Sequence, residues 1–346
     1  MTAGKFDLCS ASFAQIEEFV LSLGLARYRA EQIFRWIVRG VGTFTEMTDL
    51  SQTDRQRLEE TAFLTVPEEM ACRKTEDGTA KYLFRLADGV LIETVLMHYR
   101  HGNSVCISSQ AGCNMKCSFC ASTLSGKARD LTAGEMAAQI YFIHCQAPVS
   151  HIVLMGVGEP LDNYENVLCF LRNITNPKGL GLSQRHISLS TCGLVPAIRR
   201  LAEERLQITL SVSLHGPDDE TRNKLMPINH KYNIASLLCA CDFYTKVTGR
   251  RISYEYIMIR GINDTPQHAR TLAGQMKHRL AHVNLIPMNP VRERPFSPSD
   301  GETVARFMGI LQEKGINVTK RRRLGEEIDA ACGQLRARYG QTSSER

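Results

Sequence analysis

Cys113, Cys117 and Cys120 stand in Gly112-Cys113-Asn114-Met115-Lys116-Cys117-Ser118-Phe119-Cys120, a C-x3-C-x2-C run. Three thiolates that close in sequence can bind three irons of a cubane [4Fe–4S] cluster. The fourth iron is then left without a protein ligand and stays open to a substrate or cofactor. The competing chemistry is a structural zinc site, with Cys106, seven residues before the loop, completing an all-cysteine tetrahedron. Structural zinc favours paired C-x2-C knuckles, and here Cys117 and Cys120 make the one such pair.

A second constellation is a pair of distant cysteines. Cys106 precedes the loop, and Cys332 lies near the C-terminus in Asp329-Ala330-Ala331-Cys332-Gly333-Gln334-Leu335. A thiolate is a ready nucleophile. If a last strand at about 316–320 returns to the sheet, Cys332 falls back over the same rim as the loop. Cys9, Cys72, Cys145, Cys169, Cys192, Cys239 and Cys241 read as small buried hydrophobes without chemistry.

The chain that must position these groups has 346 residues, 43% of them hydrophobic, enough for one large domain with an appendage or for two domains. Its net charge of +6 permits a polyanionic partner without requiring one. No apolar run reaches the length of a membrane span, and the first residues lack the apolar core of a signal peptide. The expectation is a cytoplasmic protein, not bound to a membrane, with most of its 12 cysteines reduced and a monomer as the default state.

Residues 10–65 read as helices, with Phe13, Ile16, Phe19, Val20 and Leu23 forming one apolar stripe. Arg27, Arg29, Arg35 and Arg39 give this region a basic surface, fit either for solvent or for nucleic acid. Segments 81–86 and 90–96 flank Asp88-Gly89, a hairpin signal. From 104 onward strands and helices alternate. Strands are expected at 105–108, 151–155, 186–191, 208–214, 252–259 and 282–286, with helices such as 195–205 and 265–277 between them. Thr132…Glu135 and Ser299…Glu302 have the spacing of capping boxes. Such alternation implies parallel strands joined by right-handed crossovers. The expected fold is α/β: an open, partial (β/α)6 barrel with a small N-terminal helical domain and a β-hairpin extension. The expected division is 1–68 N-terminal helical accessory domain, 69–103 hairpin extension, 104–336 the strand–helix repeat with its C-terminal cysteine segment, and 337–346 tail.

In parallel α/β folds the chemistry sits at the C-terminal strand ends. The cysteine loop follows the first strand of the repeat there. Gly156-Val157-Gly158-Glu159-Pro160 follows the second, Ser190 ends the third, Ser213-Leu214-His215 ends the fourth, and Asn289 follows the sixth. The two glycines would let backbone approach a ligand. Glu159 could accept hydrogen bonds from an ammonium group. Ser190, Ser213, His215 and Asn289 offer neutral polar contacts.

The aromatic residue before the third loop cysteine makes the loop resemble that of the radical S-adenosylmethionine (SAM) superfamily. Together with Cys106-Ile107-Ser108-Ser109-Gln110-Ala111-Gly112-Cys113, Gly156–Pro160, Ser213–His215, Met226-Pro227-Ile228-Asn229 and the Cys332 segment, the chain resembles, from about 13 to 336, the radical SAM methyltransferases that modify an adenine of 23S ribosomal RNA. One branch of that family methylates carbon 2 and acts on certain tRNAs as well; the other methylates carbon 8 and confers antibiotic resistance. Gly158-Glu159-Pro160 resembles the carbon-2 branch.

The resemblance implies a [4Fe–4S] cluster on Cys113, Cys117 and Cys120, and two SAM molecules per turnover. Gly158, Glu159, Ser190, Ser213, Leu214, His215 and Asn289 would contact SAM. Cys332 would take a methyl group from one SAM, and a 5′-deoxyadenosyl radical from the other would remove hydrogen from that methyl. The methylene radical would then add to the adenine. Cys106 would attack the sulfur of Cys332, releasing methylated RNA and leaving a disulfide. Glu93 matches the family's proton acceptor, although an ion-paired strand residue reads the same way. A flavodoxin-type protein is the implied electron donor. Lys320-Arg321-Arg322-Arg323 could hold RNA phosphate or simply face solvent. Two other classes remain: a zinc-stabilised RNA-binding module without catalysis, and a radical SAM enzyme of another reaction type.

Overall fold

The structure is a computed structural model, and it describes residues 4–321 and Ile328. Cys332, Asp329, Arg322 and Arg323 lie outside the described residues.

The N-terminal part contains β1 (Phe6–Asp7), α1 (Phe13–Ser22), α2 (Arg29–Val38), α3 (Gln52–Thr61) and β2 (Ala62–Phe63), with β1 and β2 paired in parallel. The apolar stripe of α1 turns inward as its spacing requires. Ile16 and Val20 are buried, and Phe19 stacks on Phe6 with ring centroids 4.3 Å apart. This part is not loosely tethered. The Ser10 hydroxyl accepts from Gly134 N–H at 3.0 Å, and Asn173 donates to the Ala11 carbonyl at 2.9 Å.

The main sheet begins with β3 (Glu68–Lys74), β4 (Ala80–Arg85) and β5 (Leu91–Tyr99), an antiparallel meander turning at Asp88-Gly89 between β4 and β5. β6 (Gly102–Cys106) pairs antiparallel with β5 on one side and parallel with β9 on the other, so the extension and the barrel share one sheet. β7 (Gln110–Gly112) and β8 (Lys127–Asp130) form a small antiparallel pair that brackets the cysteine loop.

Then follow α4 (Ala133–His144), β9 (Val149–Leu154), α5 (Tyr164–Ile174), β10 (Ile187–Thr191), α6 (Val195–Glu203) and β11 (Thr209–Ser213). The chain continues through α7 (Asp219–Leu225), α8 (Ile234–Thr248), β12 (Ile252–Met258), α9 (Pro266–Met276), β13 (Ala281–Pro287), α10 (Gly301–Glu313) and β14 (Val318–Lys320).

The ten-stranded sheet runs β14-β13-β12-β11-β10-β9-β6-β5-β4-β3. From β6 to β14 every neighbour is parallel, and each pair is bridged by helix, which gives the six strand–helix units that alternation implied. β3 and β14 are its two ends among the described residues, so the barrel is open. The main apolar core runs from Ile16 and Ile33 in the N-terminal helices to Ile152, Val212 and Leu285 in the strands, and a smaller cluster of Leu225, Met226, Ile259 and Met288 packs beside the cysteine loop.

Several local expectations shift. The first parallel strand lies at Gly102–Cys106, earlier than 105–108, because its partner β5 fixes the register. The helix expected to reach residue 205 ends at Glu203, and Arg205 takes a left-handed φ of 51°. Thr132 and Glu135 form the capping box foreseen for α4. Ser299 and Glu302 do not form one. Asp300 caps α10, accepting from Thr303 N–H at 2.8 Å, while Ser299 donates to Asp264 at 2.7 Å. Cys145 and Cys239 are exposed, contrary to their reading as buried apolar residues.

Candidate active site

The cysteine loop is held at several points. Thr123 Oγ1 donates to the Cys120 carbonyl at 2.9 Å, Arg294 donates to Thr123 at 2.9 Å, and Ser118 N–H reaches the Leu225 carbonyl at 2.9 Å. Asn114 Oδ1 accepts from Lys127 N–H at 3.0 Å, closing the base of the loop against β8.

Held in this way, Cys113, Cys117 and Cys120 line a cavity of about 230 Å3 at the C-terminal strand ends, opposite Gly158, Glu159, Ser190, Ser213 and His215. Phe119, Met226 and Cys192 add an apolar wall. Burial pushes the Cys113 thiol up to about 12, and burial with the neighbouring cysteines pushes Cys117 up as well. Thiols in such a place become thiolates only when a metal replaces their protons, and soft thiolates in an apolar cavity suit iron–sulfur ligation. Cys106 does not line this cavity, so the all-cysteine zinc tetrahedron lacks its fourth member. Among the described residues no three His, Cys, Asp or Glu converge on one point as ligands of a single ion must. Thiols that each bind a different iron need not.

Glu159 is buried, and burial pushes its carboxyl up. Cys192 N–H at 2.7 Å, Thr191 and Leu161 N–H at 3.0 Å stabilise the charged form against that push. Among the described residues Glu159 makes no ion pair, and its buried carboxyl faces the cavity. His215 is also buried, with φ 54°. Its Nδ1 accepts from Ile257 N–H at 3.0 Å, which places the remaining proton on Nε2. Burial, then Arg222, lowers its pKa to about 3, so this imidazole is neutral at ordinary pH.

Four of the expected positions sit as follows. Gly156 and Gly158 both line the cavity, and packing behind them also requires glycine. A Cβ on Gly156 would lie 2.5 Å from the Ile107 carbonyl oxygen, and one on Gly158, whose φ is 114°, 2.7 Å from Gln110 Cβ. Leu214 has its side chain in the core away from the cavity, as strand alternation after the inward Ser213 demands. Asn289 is exposed and off the cavity wall.

Cys106 closes β6, partly buried. The ladder registers Lys81 with Val95, Val95 with Cys106, and Cys106 with Val153, which sets Lys81 and Cys106 on one face. Glu93, two residues from Val95, shares that face and pairs with Lys81 at 3.5 Å, both nearly fully buried. Burial raises the Cys106 thiol pKa, and the charges of Arg321 and Lys81 oppose it. Arg321 also lines the cysteine cavity.

Residues 107–272 match the radical SAM superfamily, and residues 6–64 match the ribosomal RNA large subunit methyltransferase N-terminal domain. A protein of Thermoanaerobacter sp. (strain X514) named "Probable dual-specificity RNA methyltransferase RlmN" is 48% identical over 96% of this chain and 98% of its own. A protein of the same name from Symbiobacterium thermophilum is 50% identical over 97% of this chain and 92% of its own. The crystal structure of a radical SAM methyltransferase from Sphaerobacter thermophilus superposes with a TM-score of 0.91 at 42% identity, covering 95% of this chain and 98% of that one. The chain belongs to the RlmN family of radical SAM RNA methyltransferases.

An enzyme of the RlmN family takes a [4Fe–4S] cluster and SAM. Beyond the expected positions, the structure adds Arg222, Cys192 and Glu255 to the site. Arg222 is fully buried. Its guanidinium donates to Leu214 O at 3.1 Å, Asn229 Oδ1 at 2.9 Å, Cys192 O at 2.6 Å and Ser213 O at 3.2 Å. Asn229 of Met226-Pro227-Ile228-Asn229 thus serves as its clamp, itself donating to Asp219 at 2.9 Å. Glu255 lines the cavity and accepts from Asn284 at 2.7 Å. Helix α7 reads as an ordinary charged helix, so nothing in residue type or spacing marked Arg222.

Proposed function

We propose that this RNA methyltransferase places a methyl group on carbon 2 of an adenine in 23S rRNA, and in tRNA, by way of a methylated Cys332. The observation that carries the reading is the near full-length likeness to proteins named dual-specificity RNA methyltransferase. On this reading Cys113, Cys117 and Cys120 hold the cluster, and the cavity beside them binds SAM. Glu159 receives the amino group, while Ser190, Ser213 and the neutral His215 contact the remaining polar atoms. When bound, cluster and SAM supply a carbon radical able to take hydrogen from an unactivated methyl group.

The chain's own residues do the rest. Cys332 carries the methyl as a thioether, because an adenine ring carbon is no nucleophile for direct transfer from SAM. Glu93 accepts the proton that carbon 2 loses, the unpaired electron of the adduct would return to the cluster held by the three loop cysteines, and Lys81 holds the carboxylate in place. Cys106 attacks the sulfur of Cys332. An S–S bond forms, the S–C bond breaks, and the carbon keeps the pair and takes a proton to become the product methyl. A flavodoxin-type donor supplies electrons. Residues 1–68 and the basic run from Lys320 steady the RNA, 69–103 carries Glu93, and 104–336 holds the cofactors. The enzyme acts as a cytoplasmic monomer; no described helix is long and apolar enough to cross a membrane.

The test is mass spectrometry of adenosine from rRNA and tRNA incubated anaerobically with reconstituted enzyme, SAM and reductant. 2-Methyladenosine is expected in both. 8-Methyladenosine would move the enzyme to the resistance branch, and product in rRNA alone would remove the tRNA assignment.

A further inference from the structure

A second cavity, of about 220 Å3, is lined by His151 early in β9 and Ser188 early in β10, and shares Arg321 with the first. Three histidines from three chain segments meet in it. His151 stacks on His186 with centroids 4.4 Å apart, and His101 meets His151 edge-on at 4.7 Å. Arg185 and Arg321 complete its cationic lining. No aspartate or glutamate lines it among the described residues. The groups facing the histidines are Tyr99 from β5, Ser104 from β6, Ser188 from β10, and the two arginines.

Three histidines invite a metal reading, but the stacked pair cannot aim its nitrogens at one ion, and no described set converges on one. Burial, then His186 and His101, lowers the His151 pKa, because the two neighbouring rings oppose its proton. What such a lining lacks is negative charge. Arginine forks match phosphate oxygens, and imidazolium rings beside them supply further donors.

We propose that the cavity formed by His101, His151 and His186 and flanked by Arg185 and Arg321 binds a phosphate group. The phosphate comes either from the RNA backbone or from free inorganic phosphate. Binding holds a proton on His151, so affinity rises as pH falls through the titration range of that ring.

The test uses the full chain and inorganic phosphate, followed by NMR of the histidine ring carbons, assigned with single His→Gln variants. The His151 and His186 signals should shift saturably, and the His151 titration midpoint should rise. Arg185→Gln should weaken phosphate binding about fivefold or more, as loss of a charge-assisted contact implies. Arg185 is exposed, and an unchanged thermal midpoint will show that the variant is folded. Shifts that sodium chloride at equal ionic strength reproduces, or a variant that binds phosphate as before, would overturn the proposal. A second arm distinguishes the sources. If the phosphate belongs to RNA, R185Q/H186Q should reduce the slope of log K against log salt for an RNA hairpin by about one. If that slope is unchanged while phosphate binding is lost, the ligand is free phosphate.

Discussion

A fully buried guanidinium whose hydrogen bonds all end on neutral oxygens is an unusual thing to place beside a thiolate site. Arg222 ties Leu214, Ser213, Cys192 and Asn229 into one unit under the cavity floor. Arg222→Met would orphan those acceptors, and stability should fall by about 3–5 kcal/mol, read as a lowered urea midpoint. His215 yields a prediction with a definite sign. Its pKa is about 3 folded, against an ordinary 6.5 in the unfolded chain. Between those values the unfolded chain holds the extra proton, so the His215 contribution is intact above pH 6.5 and drains away as pH falls toward 3. His215→Gln should therefore flatten the acid limb of the stability profile; an unchanged limb would refute the buried neutral imidazole. For the cysteines, the proposed chemistry makes unequal variants. Cys332→Ala should retain iron and SAM binding yet yield no methyl product, whereas Cys106→Ala should accumulate an RNA-linked protein band on a denaturing gel. Normal turnover by Cys106→Ala would remove its role as resolving thiol.

At the level of elements, legibility in the sequence followed locality. The capping box of Thr132 and Glu135 lies within four residues and was readable; Thr132→Ala should cost about 1 kcal/mol in thermal or urea unfolding. The Asp88-Gly89 turn and the strand–helix alternation were readable for the same reason, as was the gathering of Glu159, Ser190, Ser213 and His215 at one rim. What escaped depended on distant neighbours. Ser299 missed its cap because Asp264, far away in sequence, claims its hydroxyl. Gly156 and Gly158 are glycines because the Ile107–Gln110 backbone lies against them, which no local pattern announces. Gly158→Ala should displace Glu159 and weaken SAM binding at equilibrium, even where the fold survives. Leu214, just past β11, turns its side chain into the core, as alternation after Ser213 foretells.

Across the whole molecule the antiparallel extension and the parallel barrel are one sheet, joined where β5 pairs with β6. Glu93 and Lys81 belong to the extension and Cys106 to the barrel, so their proximity depends on that seam. A chain beginning at residue 104 would expose β6 as a raw edge and should aggregate rather than fold, measured by the soluble fraction.

The order of the strands carries a temporal consequence. Each strand of the main sheet lies beside its predecessor in the chain, and none is inserted between two earlier ones. As the chain emerges during translation, the sheet can grow at one margin, β3 first and β14 last, without rearranging what is already laid down. The cysteine that would carry the methyl group follows every strand of that sheet in the sequence. On the proposed reading, a nascent chain therefore lays down its described strands before its methyl carrier has been made.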